Sequence, residues 1–186
     1  MRLFVGIPLA EVVSTELAAM VARLKRADDG MRWSAPESWH ITLQFLGNTT
    51  DEKYACVAEA LRKVKASPVA VQMMEPGVFE RAGVFHVDVE ATKQLAELQR
   101  RVVAANEPCG FEAEARPYHP HVTLARLKTR NGTGVEHRGN LLEGLKKRAV
   151  LQARFTGFVA ERFALFESIL RAGGSQYQIR EWFPFN

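Results

Sequence analysis

HITLQFLG, residues 40–47, opens with a histidine and a threonine two positions apart and then alternates polar and apolar residues. Alternation of this kind is typical of a β-strand that buries one face. HVTLARLK, residues 121–128, repeats the order histidine, aliphatic residue, threonine, leucine. The two stretches predict two similar strands, and the relation between them decides the fold.

The segments around these two motif strands also follow a common order. Residues 2–7 read as a strand, residues 9–26 carry apolar residues at the 3.6-residue period of a helix, and a loop leads to the first motif. In the second half, a strand over residues 83–89, a helix over 92–106 and a loop lead to the second motif. A helix is expected after each motif, and residues 150–159, 162–170 and 175–183 are predicted as three closing strands.

One offset relates the two halves. His40 and His121 are 81 residues apart, and the same offset joins Phe4 to Phe85 and Leu17 to Leu98. Internal repetition of this kind predicts a duplicated lobe of strands and helices. We expect an α+β fold over residues 1–186, a single domain of two lobes with mainly antiparallel sheets around a pseudo-two-fold axis and a central cleft.

Strand geometry places the polar motif residues together. Successive side chains in a strand point to opposite faces, so His40 and Thr42 share one face, as do His121 and Thr123. A pseudo-two-fold axis would turn these two faces toward each other across the cleft. The apolar residues expected behind them in the core are Ile41, Leu43, Val122 and Leu124.

Two imidazoles and two hydroxyls in one cleft suit displacement at phosphorus. Histidine can hold or release a proton near neutral pH, so one ring can accept a proton from a nucleophile while the other donates one to the leaving oxygen. The threonine hydroxyls can donate hydrogen bonds to the phosphoryl oxygens. This scheme requires neither a metal nor a cofactor.

Two other interpretations of the histidines remain open. A duplicated strand could keep a histidine for packing alone. His119 and His121, at i, i+2, could be two metal ligands on one strand face, but no third histidine or carboxylate stands in a recognised ligand spacing. His86 and His137 look like surface positions on a strand and a loop. We therefore predict no metal site.

Four basic residues, which could contact phosphate or ribose, flank the second motif: Arg116, Arg126, Lys128 and Arg130. Arg126 is the one of most interest. Strand parity puts its side chain on the face opposite His121, unless the strand ends or bulges.

Composition bounds the class of protein. With 186 residues, 47% of them hydrophobic, the chain can bury a sizeable core. The apolar N-terminal run stops at Pro8, too early for a signal peptide or membrane span, so we expect a cytoplasmic protein. The net charge of +4 favours an anionic partner only slightly. Cys56 and Cys109 indicate neither a disulfide framework nor a zinc ribbon, and Cys56 is expected to be a small buried or half-buried residue.

The chain resembles a known family. The segments that carry the likeness are MRLFVGIPL (1–9), WHITLQFLG (39–47), PYHPHVTLAR (117–126) and FALFESILRAGGSQYQIREWFPF (163–185). They are similar to the two-histidine (2H) phosphoesterases, and within them to the RNA 2',3'-cyclic phosphodiesterases, also called 2'-5' RNA ligase-like proteins. The resemblance implies a bilobal fold with a basic cleft, and metal-independent hydrolysis of a terminal 2',3'-cyclic phosphate to a 2'-phosphomonoester.

The resemblance also implies residue roles. His40 would donate a proton to the departing 3' oxygen, and His121 would accept the proton of water. Thr42 and Thr123 would bind the phosphate, and Arg126 matches an arginine that follows the second motif in similar proteins. An aromatic partner for the base is expected; the candidates are Phe4, Phe45 and Tyr118.

The expected partner is RNA, or a nucleotide, with a 2',3'-cyclic phosphate. We expect the protein to be a monomer and to have no membrane partner. Two alternatives remain: ligation that forms a 2'-5' linkage, which uses the same acid and base in reverse, and an RNA-binding module without catalysis.

Overall fold

The computed structural model describes residues 1–27, 29–128, 135–171 and 174–185. The helices are α1 (Glu11–Leu24), α2 (Asp51–Arg62), α3 (Lys93–Asn106) and α4 (Val135–Val150). The strands are β1 (Arg2–Pro8), β2 (Met31–Trp33), β3 (His40–Asn48), β4 (Val69–Val71), β5 (Met73–Phe79), β6 (Val84–Val89), β7 (His121–Leu127), β8 (Phe158–Ala160), β9 (Arg162–Arg171) and β10 (Gly174–Pro184).

Two four-stranded antiparallel sheets form the framework. Their strand orders are β10-β9-β1-β3 and β2-β7-β6-β5, and β4 pairs with β8 in a small separate sheet. The motif strands β3 and β7 therefore belong to different sheets, and they contact each other where the sheets meet. This arrangement confirms the predicted α+β fold with antiparallel sheets.

The duplication is visible in the hydrogen-bonding register. Gly6 of β1 lies opposite Thr42, and His86 of β6 lies opposite Thr123. In each pair of strands the next motif residue, Leu43 or Leu124, is skipped by a β-bulge. The two motif strands therefore have the same local geometry, as the repeated sequence predicted.

One equivalence drawn from the offset is wrong. Phe85 lies opposite Ala125, whereas Phe4 lies opposite Phe45, one ladder position further from the motif threonine. The offset between β1 and β6 is thus 80 residues rather than 81, and a slip of one residue reverses the face of a strand side chain. As a result Phe85 lies in the main core, while Phe4 packs in a separate cluster with Phe166.

The strand predicted over residues 150–159 is mostly absent. Helix α4 continues to Val150 because Leu142, Leu145 and Ala149 lie buried along its inner face. The following residues form turns, and only Phe158–Ala160 pairs as a strand.

Strand β2 lies in a stretch predicted as a loop. It pairs with β7, and Met31 is buried at its start. The Asp29 carboxylate supports it by accepting hydrogen bonds from the Met31 backbone N–H at 2.9 Å and from Trp33 Nε1 at 2.7 Å. Three residues with one apolar anchor carry too little periodicity to predict a strand.

The sequence did not indicate a disulfide, and this prediction is also wrong. Cys56 on α2 and Cys109, in a short 3₁₀ turn after α3, form a disulfide across a sequence separation of 53, with 5.8 Å between their Cα atoms. Cys56 is exposed rather than buried, and Cys109 is buried. The pairing depends on how α2 packs beside α3, which cysteine spacing does not reveal.

The main core is continuous between the sheets. Its largest cluster includes Leu3 and Ile41 from one sheet, together with Phe85 and Val122 from the other. None of the described helices is both long and apolar enough to cross a membrane.

Candidate active site

The two motif histidines line one cavity. His40 and His121 are the first residues of β3 and β7, and both border a cavity of about 380 Å³ that is also lined by Thr42, Thr123 and Arg126. The residues expected behind them are buried, with Ile41, Val122 and Leu124 at 0% exposure and Leu43 at 3%. Strand parity and the duplication thus bring the four polar residues together.

Both imidazoles are held in the same way. His40 Nδ1 donates to the Ser38 carbonyl at 2.7 Å, and His121 Nδ1 donates to the His119 carbonyl at 2.8 Å. A carbonyl can only accept, so Nδ1 of each ring carries a hydrogen. In the neutral ring, Nε2 is then left as the atom that can take or give a proton.

Aromatic rings surround His40. The ring centroids of Phe4, Tyr177 and Phe166 lie 4.4, 5.1 and 5.5 Å from that of His40. Burial is the main reason that the pKa of His40 is lowered to about 4, and charge on His121 and Arg126 acts in the same direction, against the hydrogen bond to the Ser38 carbonyl. Without a ligand, His40 is therefore neutral at neutral pH.

The surroundings of His121 differ because they include a carboxylate. Phe79 packs edge-on against the ring with 4.9 Å between centroids. Burial lowers the pKa of His121, and His119 and Arg126 add to this, while the Asp88 carboxylate opposes it. Asp88 thus raises the pKa of His121, whereas no acidic side chain of the described residues shifts the pKa of His40.

The β-bulges place two further residues at the cavity. Parity alone puts Arg126 on the face opposite His121, but the bulge at Leu124 returns its side chain to the cavity. Phe45 holds the equivalent position in β3 and also lines the cavity, with 57% of its surface exposed. Strand β7 therefore bulges, which is the condition under which Arg126 was expected on the same face as His121.

The structure separates the three aromatic candidates for base stacking. Phe4 is only 2% exposed and is stacked on Phe166. Tyr118 donates its hydroxyl to the Thr42 carbonyl at 3.2 Å, and burial raises the pKa of that hydroxyl. Phe45 is the candidate with an open ring surface.

Of the other flanking basic residues, Arg116 and Lys128 do not line the smaller cavity. Arg116 forms an exposed ion pair with Glu114 and borders a second, larger cavity of about 1160 Å³. Lys128 borders neither cavity, and Arg130 lies outside the described residues. The larger cavity shares Thr42, Phe45 and His121 with the smaller one, so the two adjoin.

The prediction that His86 lies at the surface is wrong, because only 2% of the residue is exposed. Its ring stacks on Phe79 with 4.0 Å between centroids, and burial lowers its pKa to about 4. His86 Nε2 lies 2.9 Å from Asp88 Oδ1, and His119 Nε2 lies 2.7 Å from the same oxygen. The available sequence signal was the i, i+2 spacing of His86 and Asp88 on one strand. The side chain of His137 lies outside the part of the chain that the structure describes.

The sequence matches the profile of the 2'-5' RNA ligase superfamily over residues 13–162. The chain belongs to that superfamily. Among superfamily relatives, the RNA 2',3'-cyclic phosphodiesterase of Bacillus subtilis is 27% identical over 169 residues, which cover 88% of this chain and 86% of the relative. The protein of the same name from Thermotoga maritima is 31% identical over 133 residues, covering 69% and 71%.

Solved structures show the same fold. Apo E. coli LigT aligns with a TM-score of 0.77 at 19% identity, covering 99% of this chain and 96% of LigT. A protein of Thermus thermophilus aligns with a TM-score of 0.74 at 24% identity, covering 100% and 98%. The superfamily fold inferred from the paired motifs is confirmed.

Proposed function

We propose that this protein hydrolyses the terminal 2',3'-cyclic phosphate of RNA to a 2'-phosphomonoester. The observation that carries the proposal is the pair of imidazoles that line one cavity, each with Nδ1 held by a backbone carbonyl, beside two threonine hydroxyls. The superfamily relatives named RNA 2',3'-cyclic phosphodiesterase support the same substrate class. The residues invoked all come from one chain, so the proposal requires only a monomer.

In the proposed reaction, Nε2 of His121 accepts a proton from a water molecule as its oxygen attacks phosphorus. The bond between phosphorus and the 3' oxygen breaks, and His40 Nε2 gives its proton to that oxygen. The products are a 3'-hydroxyl and a 2'-phosphomonoester. Since both residues line the cavity, Thr42 and Thr123 hydroxyls donate to the non-bridging oxygens, whose charge must be stabilised in the transition state.

The electrostatics explain how a ring with a low pKa can be the donor. The phosphodiester carries a negative charge into the cavity, and a nearby anion favours the protonated imidazole. His40 therefore takes up its proton as the substrate binds. Arg126, which lines the cavity, adds a fixed positive charge for the phosphate.

The rest of the substrate has two places to bind. Phe45 offers a stacking surface for the terminal base, and the adjoining larger cavity gives room for the preceding nucleotides. E. coli LigT has been crystallised with 3'-AMP and with phosphate, which supports a nucleotide as the ligand of this fold.

The test uses an RNA oligonucleotide with a 2',3'-cyclic phosphate, a chelator and a second RNA with a 5'-hydroxyl. We expect a 2'-phosphate product in the presence of chelator, identified by chromatography against 2'- and 3'-phosphate standards. A 2'-5' ligated product would favour the reverse reaction. Tight binding without turnover between pH 5 and 8 would leave only a binding module and refute the proposal.

A matched pair of variants tests the role of the hydroxyls. Thr123→Val has nearly the same shape as threonine but cannot donate a hydrogen bond, whereas Thr123→Ser keeps the hydroxyl. We expect Ser to retain most of the activity and Val to lose about tenfold or more, since a hydrogen bond to a charged group is worth about 1.5–3 kcal/mol. Equal activity in both variants would remove the threonine from the mechanism.

We further propose that the protein acts in the cytoplasm, where RNA substrates are available. The disulfide argues against this location, because disulfides are uncommon in reducing compartments. Trapping free thiols at the moment of cell lysis would measure the redox state of Cys56 and Cys109. A fully oxidised pair would indicate an oxidising compartment instead.

A further inference from the structure

Three donor side chains converge behind the ring of His121. His86 and Asp88 lie two positions apart on β6, and His119 lies in the segment that enters β7. One ligand atom from each of the three lies within 4.8 Å of the other two. The closest approaches join both histidine Nε2 atoms to a single Asp88 oxygen, at 2.9 and 2.7 Å.

The first lobe has no such cluster at the equivalent positions. The ladder registers align His86 with Gly6, since these lie opposite Thr123 and Thr42, and align Asp88 with Pro8, since these lie opposite His121 and His40. His119 precedes His121 by two residues, as Ser38 precedes His40. The cluster is therefore an addition to one lobe, and the repeated fold does not require it.

The proposed catalytic chemistry does not require the cluster either. Ser38 holds the ring of His40 through its backbone carbonyl, and His119 holds His121 through the same backbone group. The hold on His121 therefore does not use the imidazole of His119, which contacts Asp88 instead. Gly77 makes room for the cluster, because a Cβ atom there would lie 2.5 Å from His86 Nε2.

Two imidazole nitrogens and one carboxylate oxygen suit a first-row divalent transition metal. Zinc is one such ion, since it binds three protein ligands of this kind with a water in the fourth position. With zinc bonds of about 2.0–2.1 Å in tetrahedral geometry, ligand atoms stand about 3.3 Å apart. The two distances to Asp88 Oδ1, 2.9 and 2.7 Å, need only a small outward shift to reach this value. The side chains of His119 and Asp88 are 55% and 36% exposed, so an ion and a water ligand can enter from solvent.

Two features bear on metal binding: the chain offers no thiolate ligand elsewhere, and, in the part of the chain that the structure describes, the site lacks one supporting hydrogen bond. The two cysteines of the chain are joined in the disulfide, so neither offers a thiolate. Metal-bound histidines usually donate their other N–H to a partner, and buried Nδ1 of His86 has none among the described residues. We therefore expect weaker binding than at a structural zinc site with four protein ligands.

We propose that His86, Asp88 and His119 bind one divalent transition-metal ion such as zinc. None of the three lines the smaller cavity with the motif histidines, while His119 borders the larger one. The proposal goes beyond the phosphodiesterase reaction and stands or falls by binding alone. It concerns an accessory ion, because the proposed acid and base need none.

The experiment is a calorimetric titration of the full-length, tag-free, chelator-treated protein with zinc chloride. Asp88→Asn and His119→Gln each remove one ligand, and Glu75→Gln is a control that changes an exposed carboxylate on β5. We expect one equivalent of zinc in the wild type and the control. The two ligand variants should bind at least about tenfold more weakly, the range in which even supporting residues of metal sites act.

His40→Ala completes the set, because a zinc ion could also bridge the two motif histidines in the cavity. Equal binding in all variants, no saturable binding in the wild type, or loss of binding only in His40→Ala would overturn the proposal. Thermal melts confirm that each variant is folded. Hydrolysis measured on the same metal-free protein reports separately on the phosphodiesterase reaction.

Discussion

The low pKa of His40 predicts a measurable loss of stability in mild acid. In the folded protein His40 protonates only near pH 4, whereas an unfolded chain protonates its histidine near 6.5. Between these values the unfolded state binds more protons than the folded state, so stability is present above pH 6.5 and falls as the pH is lowered toward 4. At pH 4.5 the linkage amounts to about 2.5 kcal/mol for this residue. This is an upper value, because His40 is only half-buried.

The assay is urea unfolding of the wild type and His40→Asn at pH 7.5 and pH 4.5. Asparagine retains a side-chain N–H for the Ser38 carbonyl but does not titrate. Other groups that titrate in this range, including His86, are present in both proteins and cancel in the comparison. The wild type should lose about 2 kcal/mol more stability than the variant on acidification. Equal losses would show that the cavity does not depress the pKa of His40, and would refute the reasoning about its surroundings.

Three further predictions follow from the same structure. With a 2',3'-cyclic nucleotide, the basic limb of the pH profile should lie at higher pH for kcat than for kcat/KM. The reason is that bound phosphate raises the pKa of His40, and kcat reports the complex whereas kcat/KM reports the free enzyme. Coincident limbs would contradict proton uptake on binding. Phe45→Ala should raise KM by roughly 5–150-fold, the value of about 1–3 kcal/mol of base stacking, with Phe45→Tyr close to wild type; steady-state kinetics check this. The double change Cys56→Ser and Cys109→Ser should lower the free energy of urea unfolding by about 4 kcal/mol, as expected for a crosslink that spans 53 residues; an unchanged midpoint would show that the crosslink is not formed.

Many of the strands and helices can be predicted from the local periodicity of the sequence. Period-two alternation around His40 and His121 identifies both motif strands and the faces of their side chains, and helical periodicity identifies α1 and α3. The common offset then relates the halves, so the convergence of the motif residues could be predicted before any contact was known. These features need only short-range rules and one repeated segment.

The features that escaped prediction depend on contacts between distant segments or on a shift of one residue. The bulge at Leu124 reverses the parity that governs Arg126, and no single residue type signals a bulge there. His86 meets His119 only because β6 and β7 pair. Cys56 meets Cys109 through helix packing. Each case requires the tertiary arrangement, which local periodicity does not contain.

The central claim is that His40 and His121 are two halves of one acid–base site. Single-turnover hydrolysis of 2',3'-cyclic AMP by the wild type, His40→Ala, His121→Ala and the double variant tests it most directly, with urea midpoints to confirm folding. Each single variant should be slower by about 10²–10⁴-fold, and the double variant should be little slower than the worse single one, because the two rings act as a unit. A single variant that keeps more than about a tenth of the wild-type rate would contradict the account, since general acid–base catalysis of this size would then reside elsewhere.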